Sequence, residues 1–245
     1  MNRSNLRPTG PWRRAANNVS IKIQFGAKRA ADIVLALCGL VLGLPFFFFI
    51  PLLVRMESPG PVIFAQMRSG KNGVPFRMFK FRTMVDGAPH LRNPDGSAFI
   101  ARNDARVTRV GRWLREFSLD EIPQLFNVLR GDMSIVGPRP EKPDYTAELP
   151  DWAREKLQVR PGCLSLTLIR GRNELPWLVR NELDIDYVRN FTLSLDAKIV
   201  VLGLWAMFVN RKGLYSPTGP VSPVFLEPRG KPETCRETAS KEITS

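Results

Sequence analysis

From Ile33 to Val54 the chain carries no charged residue, and a stretch of that kind has few places to go. At about 1.5 Å per residue its roughly 22 residues make about 33 Å of straight helix, enough to cross a hydrocarbon core of about 30 Å. Pro45 stands near its middle and Pro51 near its end. A proline inside a helix removes a backbone donor and crowds the preceding turn, so a bend is expected around Leu44-Pro45. Half of a bent segment is too short to cross. The flanks point the same way: Arg3, Arg7, Arg13, Arg14, Lys22, Lys28 and Arg29 lie upstream, and Arg55, Arg68, Lys71, Arg77, Lys80 and Arg82 downstream. Lys and Arg favour the cytoplasmic side of a membrane. A re-entrant helix-break-helix, entering and leaving one face, puts both flanks there, whereas a spanning anchor strands one of them outside. Asp32 at the entry is expected to pair with Lys28 and Arg29, which lowers the cost of a carboxylate at the interface.

Lys+Arg of 36 against Asp+Glu of 23 give the 245-residue chain a formal net charge of +13. Such a charge calls for polyanionic partners: nucleic acid, an anionic membrane or phosphorylated substrates. With one histidine, His90, and with Cys38, Cys163 and Cys235 in no CxxC, a His-based triad, a zinc site and a disulfide framework lack material. Chemistry falls to carboxylates and hydroxyls. The length suits one catalytic domain with appendages. Residues 1–27 read as a basic, partly disordered arm with a Pro8-Thr9-Gly10-Pro11 breaker and not as a signal peptide; residues 28–56 are the membrane segment. Residues 57–215 are the catalytic domain and 216–245 a disordered tail.

Within the domain, Val62–Ala65 and Phe76–Met84 read as strands joined by a Gly-rich turn from Ser69 to Gly73. Alternation puts Lys80 and Arg82 on one face of the second strand and Phe79 and Phe81 on the other. Residues 86–104 look like a loop. Thr108 opens a helix to Phe117 with Arg109, Arg112 and Arg115 as a basic stripe. Tyr145–Gln158 and Leu183–Asn190 look helical, and Ile199–Val209 is an apolar run too short to span, suited to the membrane interface or to closing the core. The fold class is mixed α/β, helix-rich and monotopic.

The stretch Ser118-Leu119-Asp120-Glu121-Ile122-Pro123 carries most of the chemistry. By spacing alone it is a capping box, with acidic residues favoured in a first turn. Pro123 is tolerated only in that turn, so the helix is expected to begin at about Ser118 to Asp120. Both carboxylates then sit at the positive helix end, which favours their ionised form and attracts phosphate. Adjacent residues diverge around a helix, so division of labour between Asp120 and Glu121 is the natural reading, one attacking and one holding a metal. Arg115 and Arg139 flank them to neutralise phosphoryl charge.

The order of Lys28-Arg29-x-x-Asp32, Phe79-Lys80-Phe81-Arg82-Thr83-Met84, Thr108-Arg109-Val110-Gly111-Arg112, Ser118 to Val128, Gly131-Asp132-Met133-Ser134, Val136-Gly137-Pro138-Arg139-Pro140 and Val159-Arg160-Pro161-Gly162 resembles the bacterial sugar transferases, the monotopic phosphoglycosyl transferases. The resemblance runs from about Lys28 to Gly213. It implies an enzyme on the cytoplasmic face of the bacterial inner membrane that moves a sugar 1-phosphate from a UDP-sugar to a polyprenyl phosphate, with Mg²⁺, and releases UMP. It implies Asp120 as the nucleophile of a phosphosugar intermediate and Glu121 as the metal-binding neighbour. Lys80, Arg115, Arg139, Arg172 and Asp184 are then the substrate-binding candidates, and Pro45 the break of the membrane helix. The lipid membrane and a homo-oligomer are further partners to expect, and nucleic acid is not. One departure stands out. After Val159-Arg160-Pro161-Gly162 the family usually continues Thr-Gly-Trp-Ala-Gln, whereas this chain reads Cys163-Leu164-Ser165-Leu166-Thr167 before Gly171-Arg172-Asn173 resumes the pattern. Selectivity for sugar, nucleotide or acceptor is what this departure touches. The competing readings are a basic membrane-tethered scaffold or nucleic-acid-binding protein, and a catalytically degenerate transferase.

Overall fold

A computed structural model describes residues 19–89, 104–170, 175 and 177–208. His90, Arg172, most of the basic arm and the tail from Ser216 lie outside the described residues. Helix α1, Val19–Glu57, is one element of 39 residues with Pro45 and Pro51 inside it. Pro45 does not end the helix, and residues 19–27 begin it instead of belonging wholly to an arm. Packing supplies the reason. Around the proline, Phe47 lies against Phe81 (ring centroids 5.4 Å apart) and Phe126 (5.6 Å), and Ile50 and Val54 are buried in the same cluster. Neighbouring structure can hold a helix together through a lost hydrogen bond.

Only 17% of the apolar window is buried, so α1 is not the core helix of a soluble domain. Val41, Leu42 and Phe48 are 65%, 77% and 73% exposed. The opposite face rests on the domain from end to end. At the start, the Lys28 ammonium donates to Val136 O (3.0 Å) and Asp196 (2.6 Å), and Arg29 donates to Val128 O and Leu129 O. Lys28 and Asp32 also pair, at 3.9 Å. The Asp32 carboxylate accepts chiefly from the Ser134 hydroxyl and the Ile135 N–H (both 2.9 Å at best). Midway, Gly39 lets Leu125 in: a Cβ there would stand 2.8 Å from Leu125 Cδ1. At the far end, Glu57 accepts from the Arg109 and Val110 N–H groups.

The expected hairpin forms as β1, Ile63–Ser69, and β2, Pro75–Phe81, antiparallel with Ile63 opposite Phe81 and Ser69 opposite Pro75. Asn72 and Gly73 adopt positive φ in its turn. Arg82, just past β2, leaves the face shared with Lys80; it is buried and donates to Ser58 O and Pro59 O. Helix α2, Arg109–Glu116, starts at Thr108, whose side chain accepts from Gly111 N–H. Gly111 is needed there because any Cβ would meet Thr83 O at 2.0 Å. After a 3-10 turn at Leu119–Glu121 comes α3, Gln124–Arg130. Strand β3, Ser134–Val136, pairs in parallel with β4, Gly162–Leu164.

Between these strands the single helix expected over Tyr145–Gln158 is two pieces, α4 at Pro143–Ala147 and a 3-10 segment at Asp151–Gln158. Pro150 separates them, since a proline disfavours a helical residue before it. Helices α5 (Leu166–Arg170), α6 (Trp177–Arg189) and α7 (Leu193–Phe208) follow. Phe76, Met78, Val128, Met133, Tyr187 and Ile199 share the main core. Helix α7 does what its apolar run allowed on two sides: Ile199 closes the core, while Val201, Leu204 and Trp205 are exposed.

Candidate active site

The carboxylates do not begin a helix as expected. Ser118 sits in the left-handed region (φ 54°, ψ 23°) and makes no capping bond, so the box is not formed. Asp120 and Glu121 occupy the 3-10 turn, and α3 starts only after Pro123. The turn places the two side chains differently. Glu121 lines an open cleft, while Asp120 is 7% exposed and lies behind it. Lys80 from β2 bridges them, its ammonium 2.6 Å from Glu121 Oε1 and 4.0 Å from Asp120 Oδ2. Burial pushes the Asp120 carboxyl up to about 6; Lys80 and Arg115 oppose the rise and Glu121 adds to it. Desolvation thus outweighs the ionising influence expected of a helix start.

Asn127 holds this assembly together. Fully buried on α3, it accepts from Phe79 N–H (3.0 Å) and donates to Arg77 O (2.7 Å), so it joins the backbone of β2 beside Lys80. Arg115 on α2 is anchored by a 2.8 Å bond from its Nε to the Thr83 hydroxyl and faces Asp120 electrostatically. Arg139 lines the cleft from the loop after β3. That loop is pressed onto β4: a Cβ on Gly162 would fall 2.1 Å from Gly137 N. The cleft therefore takes its walls from Arg139 and Pro140 at the exit of β3, from Cys163 on β4, and from Ser165 and Leu168 after it. Residues of the Cys163 to Thr167 departure stand directly in the cleft wall. Burial, and next Glu121 and Asp32, raise the Cys163 thiol far above its usual range, so it stays protonated.

Asp184 is not among the cleft-lining residues. It is 2% exposed on α6, 3.5 Å from the equally buried Lys156, and accepts from the Thr167 hydroxyl at 3.1 Å. Burial lifts it to about 6, with Lys156 opposing, and the Arg139 N–H also donates to it. Its place is behind the Arg139 loop, where it positions a cleft residue and touches no open space. Arg172 lies outside the described residues. Two cleft residues were missed from the sequence: Gln124, 3% exposed, and Arg68 on β1. Arg68 was visible only as one of many basic residues in a flank. The strand register is the missing signal, because it puts Arg68 opposite Phe76 on the same side of the hairpin as Lys80.

A cleft with paired carboxylates, a bridging lysine and arginines suits phosphoryl chemistry, and the sequence profile of the bacterial sugar transferases matches residues 23–210. The chain belongs to the bacterial sugar transferase family. Relatives named as undecaprenyl-phosphate sugar phosphotransferases make it, as a member, a phosphoglycosyl transferase enzyme. It is 43% identical over 207 residues to the UDP-glucose:undecaprenyl-phosphate glucose-1-phosphate transferase of Caulobacter vibrioides, covering 80% of this chain and 72% of that one. The uncharacterized sugar transferase EpsL of Bacillus subtilis is 37% identical over 183 residues, 75% of this chain and 88% of that one. The exopolysaccharide production protein ExoY of Rhizobium meliloti is 38% identical over 196 residues, 76% and 87%. The matched region of the transferase takes in most of α1, the hairpin, the Asp120-Glu121 turn and all of α7.

Proposed function

We propose that this transferase moves a sugar 1-phosphate from a UDP-sugar to a polyprenyl phosphate and releases UMP, by way of a phosphosugar carried on Asp120. The observation that carries the reading is the Asp120 carboxylate: its side chain is 10% accessible, it lies 4.0 Å from Lys80, and it stands behind a cleft walled by cations. With a pKa of about 6, it is ionised in roughly nine of ten molecules at neutral pH. Its oxygen bonds to the β-phosphorus, the bond from that phosphorus to the bridging oxygen breaks, and UMP leaves with the electron pair. A lipid phosphate oxygen then attacks the same phosphorus, and Asp120 departs as a carboxylate. Lys80, Arg115 and Arg139 balance the negative charge that gathers.

Mg²⁺ fits the donor set, since it prefers one or two carboxylates with substrate oxygens. Glu121, which already holds a cation at 2.6 Å in the Lys80 ammonium, would be its protein ligand. Bound there, the ion would supply positive charge to the phosphate oxygens.

Topology follows from the pinning of α1. Lys28 and Arg29 at its start and Glu57 at its end bind polar groups of one domain, while the face between them exposes apolar residues. This arrangement supports re-entrant, monotopic association with the cytoplasmic face of the inner membrane, with Pro45, near the middle of the apolar stretch, as the place where the helix bends. The reaction would begin assembly of an exopolysaccharide or another glycoconjugate on its lipid carrier. UMP release from a panel of UDP-sugars, beginning with UDP-glucose, tests the reading. Sustained release should require undecaprenyl phosphate, and release from none of the donors would refute it. Single cysteines at Ala27 and Met56 should be labelled from the same side of the membrane; opposite sides would restore a spanning anchor.

A further inference from the structure

The steps above leave one cation of the cleft without a task. Arg68 stands on β1 with its side chain on the hairpin face that also carries Met78 and Lys80. Directly opposite it is Phe76, four residues from Lys80, a distance of about 13 Å along a strand. The two cations thus mark the two ends of one wall, Lys80 at the carboxylates and Arg68 away from them. The Arg68 guanidinium donates to Pro140 O (3.2 Å) and to Gln66 Oε1 (2.6 Å), both uncharged, and its Nε is buried without a partner. The charged group that influences it most is a like charge, Arg139. Burial first, and Arg139 next, lower its pKa to about 10, with Glu141 and Glu121 only partly compensating. Two guanidinium groups held together, one with an unused donor, form a seat that an anion would relieve.

We propose that Arg68, together with Arg139, binds the phosphate of the leaving nucleotide, the group that departs as UMP. The assignment rests on the transfer reaction proposed above. Lys80 is already engaged by Glu121 next to Asp120, where the β-phosphorus is attacked, so the neighbouring phosphate extends along the hairpin wall toward Arg68. Negative charge grows on that group as the bond to the β-phosphorus breaks, and a forked guanidinium meets phosphate oxygens in pairs. Arg68 also fixes the Pro140 carbonyl, which keeps the Arg139 loop against the same ligand.

The test uses the full-length protein in detergent or nanodiscs and follows UMP in two ways, by its inhibition of turnover and by calorimetric binding. In Arg68→Gln the inhibition constant for UMP and the KM for the UDP-sugar should rise together, by about tenfold or more, while the KM for undecaprenyl phosphate stays the same. Arg68→Lys, which keeps the charge but not the fork, should fall between. If Arg68→Gln does not fold, Arg68→Lys carries the test by the same three constants. UMP bound as tightly by the variants as by an active wild type overturns the assignment alone. A rise in the acceptor KM in place of the donor KM also overturns it and gives the site to the lipid phosphate. A wild type that releases no UMP from any donor removes the transfer reaction and the assignment with it.

Discussion

Asp120 with Lys80 and Glu121, and Asp184 with Lys156 and Glu141, each set one lysine and one glutamate around an aspartate that burial pushes up to about 6. What differs is how completely each aspartate is surrounded. Asp184 accepts from the Thr167 hydroxyl and the Arg139 N–H and lies 3.5 Å from Lys156, whose side chain is 2% accessible. Asn181 takes a further Lys156 bond at 2.6 Å, and Glu141 stands 3.7 Å away. Asp120 has its own N–H and, at 4.0 Å, a Lys80 whose side chain is 24% accessible. A saturated set has nothing left to offer a substrate and works as scaffold. An unsaturated set beside a cleft holds a lone pair in reserve. Raised pKa alone does not separate the two roles, and access does.

The largest effect expected from this contrast is at the open set. Asp120→Asn should lower UMP release by about four orders of magnitude, as loss of a nucleophile does, while unfolding temperature does not fall. The sign is fixed by linkage. A folded pKa of about 6 against an ordinary 3.8 means that the folded wild type gains stability as pH drops through that window and loses it as pH rises. The asparagine variant should therefore be the more stable protein at pH 8, by at most about 3 kcal/mol. Asp184→Ala should do the reverse and lower stability by about 3 kcal/mol in denaturant unfolding, because the Thr167 hydroxyl and the Arg139 N–H lose their buried acceptor and Lys156 loses one of its two carboxylates. An unchanged midpoint would show that the closed set is not scaffold.

Asn127→Ala, which orphans the Phe79 N–H and the Arg77 carbonyl beside Lys80, should cost about 2 kcal/mol of stability and lower kcat more than donor affinity. If kcat is untouched, the link from α3 to β2 does not position Lys80. Smallest of all is the pH response. Turnover should fall about tenfold for each unit below pH 6 as Asp120 takes up its proton, and a profile flat from pH 5 to 8 would separate the rate from that carboxylate.

Much of this was legible in local pattern. The hairpin announced itself by alternating residues around a Gly-rich turn, α2 by its Thr108 cap, and the membrane segment by an uncharged run. The blocks around Asp120 identified the family before any geometry was known. What local pattern misread was settled by distant contacts. Nothing local shows that the helix runs on through Pro45, where Phe81 and Phe126 pack against Phe47. Ser118 reads as a cap until its backbone is found left-handed. Strands β3 and β4 are three residues each and pair only because glycines at 137 and 162 let their backbones meet, so nothing in either segment forecasts the sheet. Arg68 and Asp184 show the same limit from two directions. One is a cleft residue hidden among basic neighbours, and the other a site candidate that the fold encloses.

The proposed mechanism turns on Asp120 carrying the phosphosugar. Wild-type enzyme mixed with its UDP-sugar in the absence of polyprenyl phosphate, then quenched and digested for mass spectrometry, measures this directly. One equivalent of UMP per active enzyme, with the added mass of a sugar phosphate on the peptide bearing Asp120 and fragment ions placing it on that residue, is the predicted result. UMP formed only when acceptor is present, with no adduct on the protein, or an adduct placed on Glu121, would contradict it.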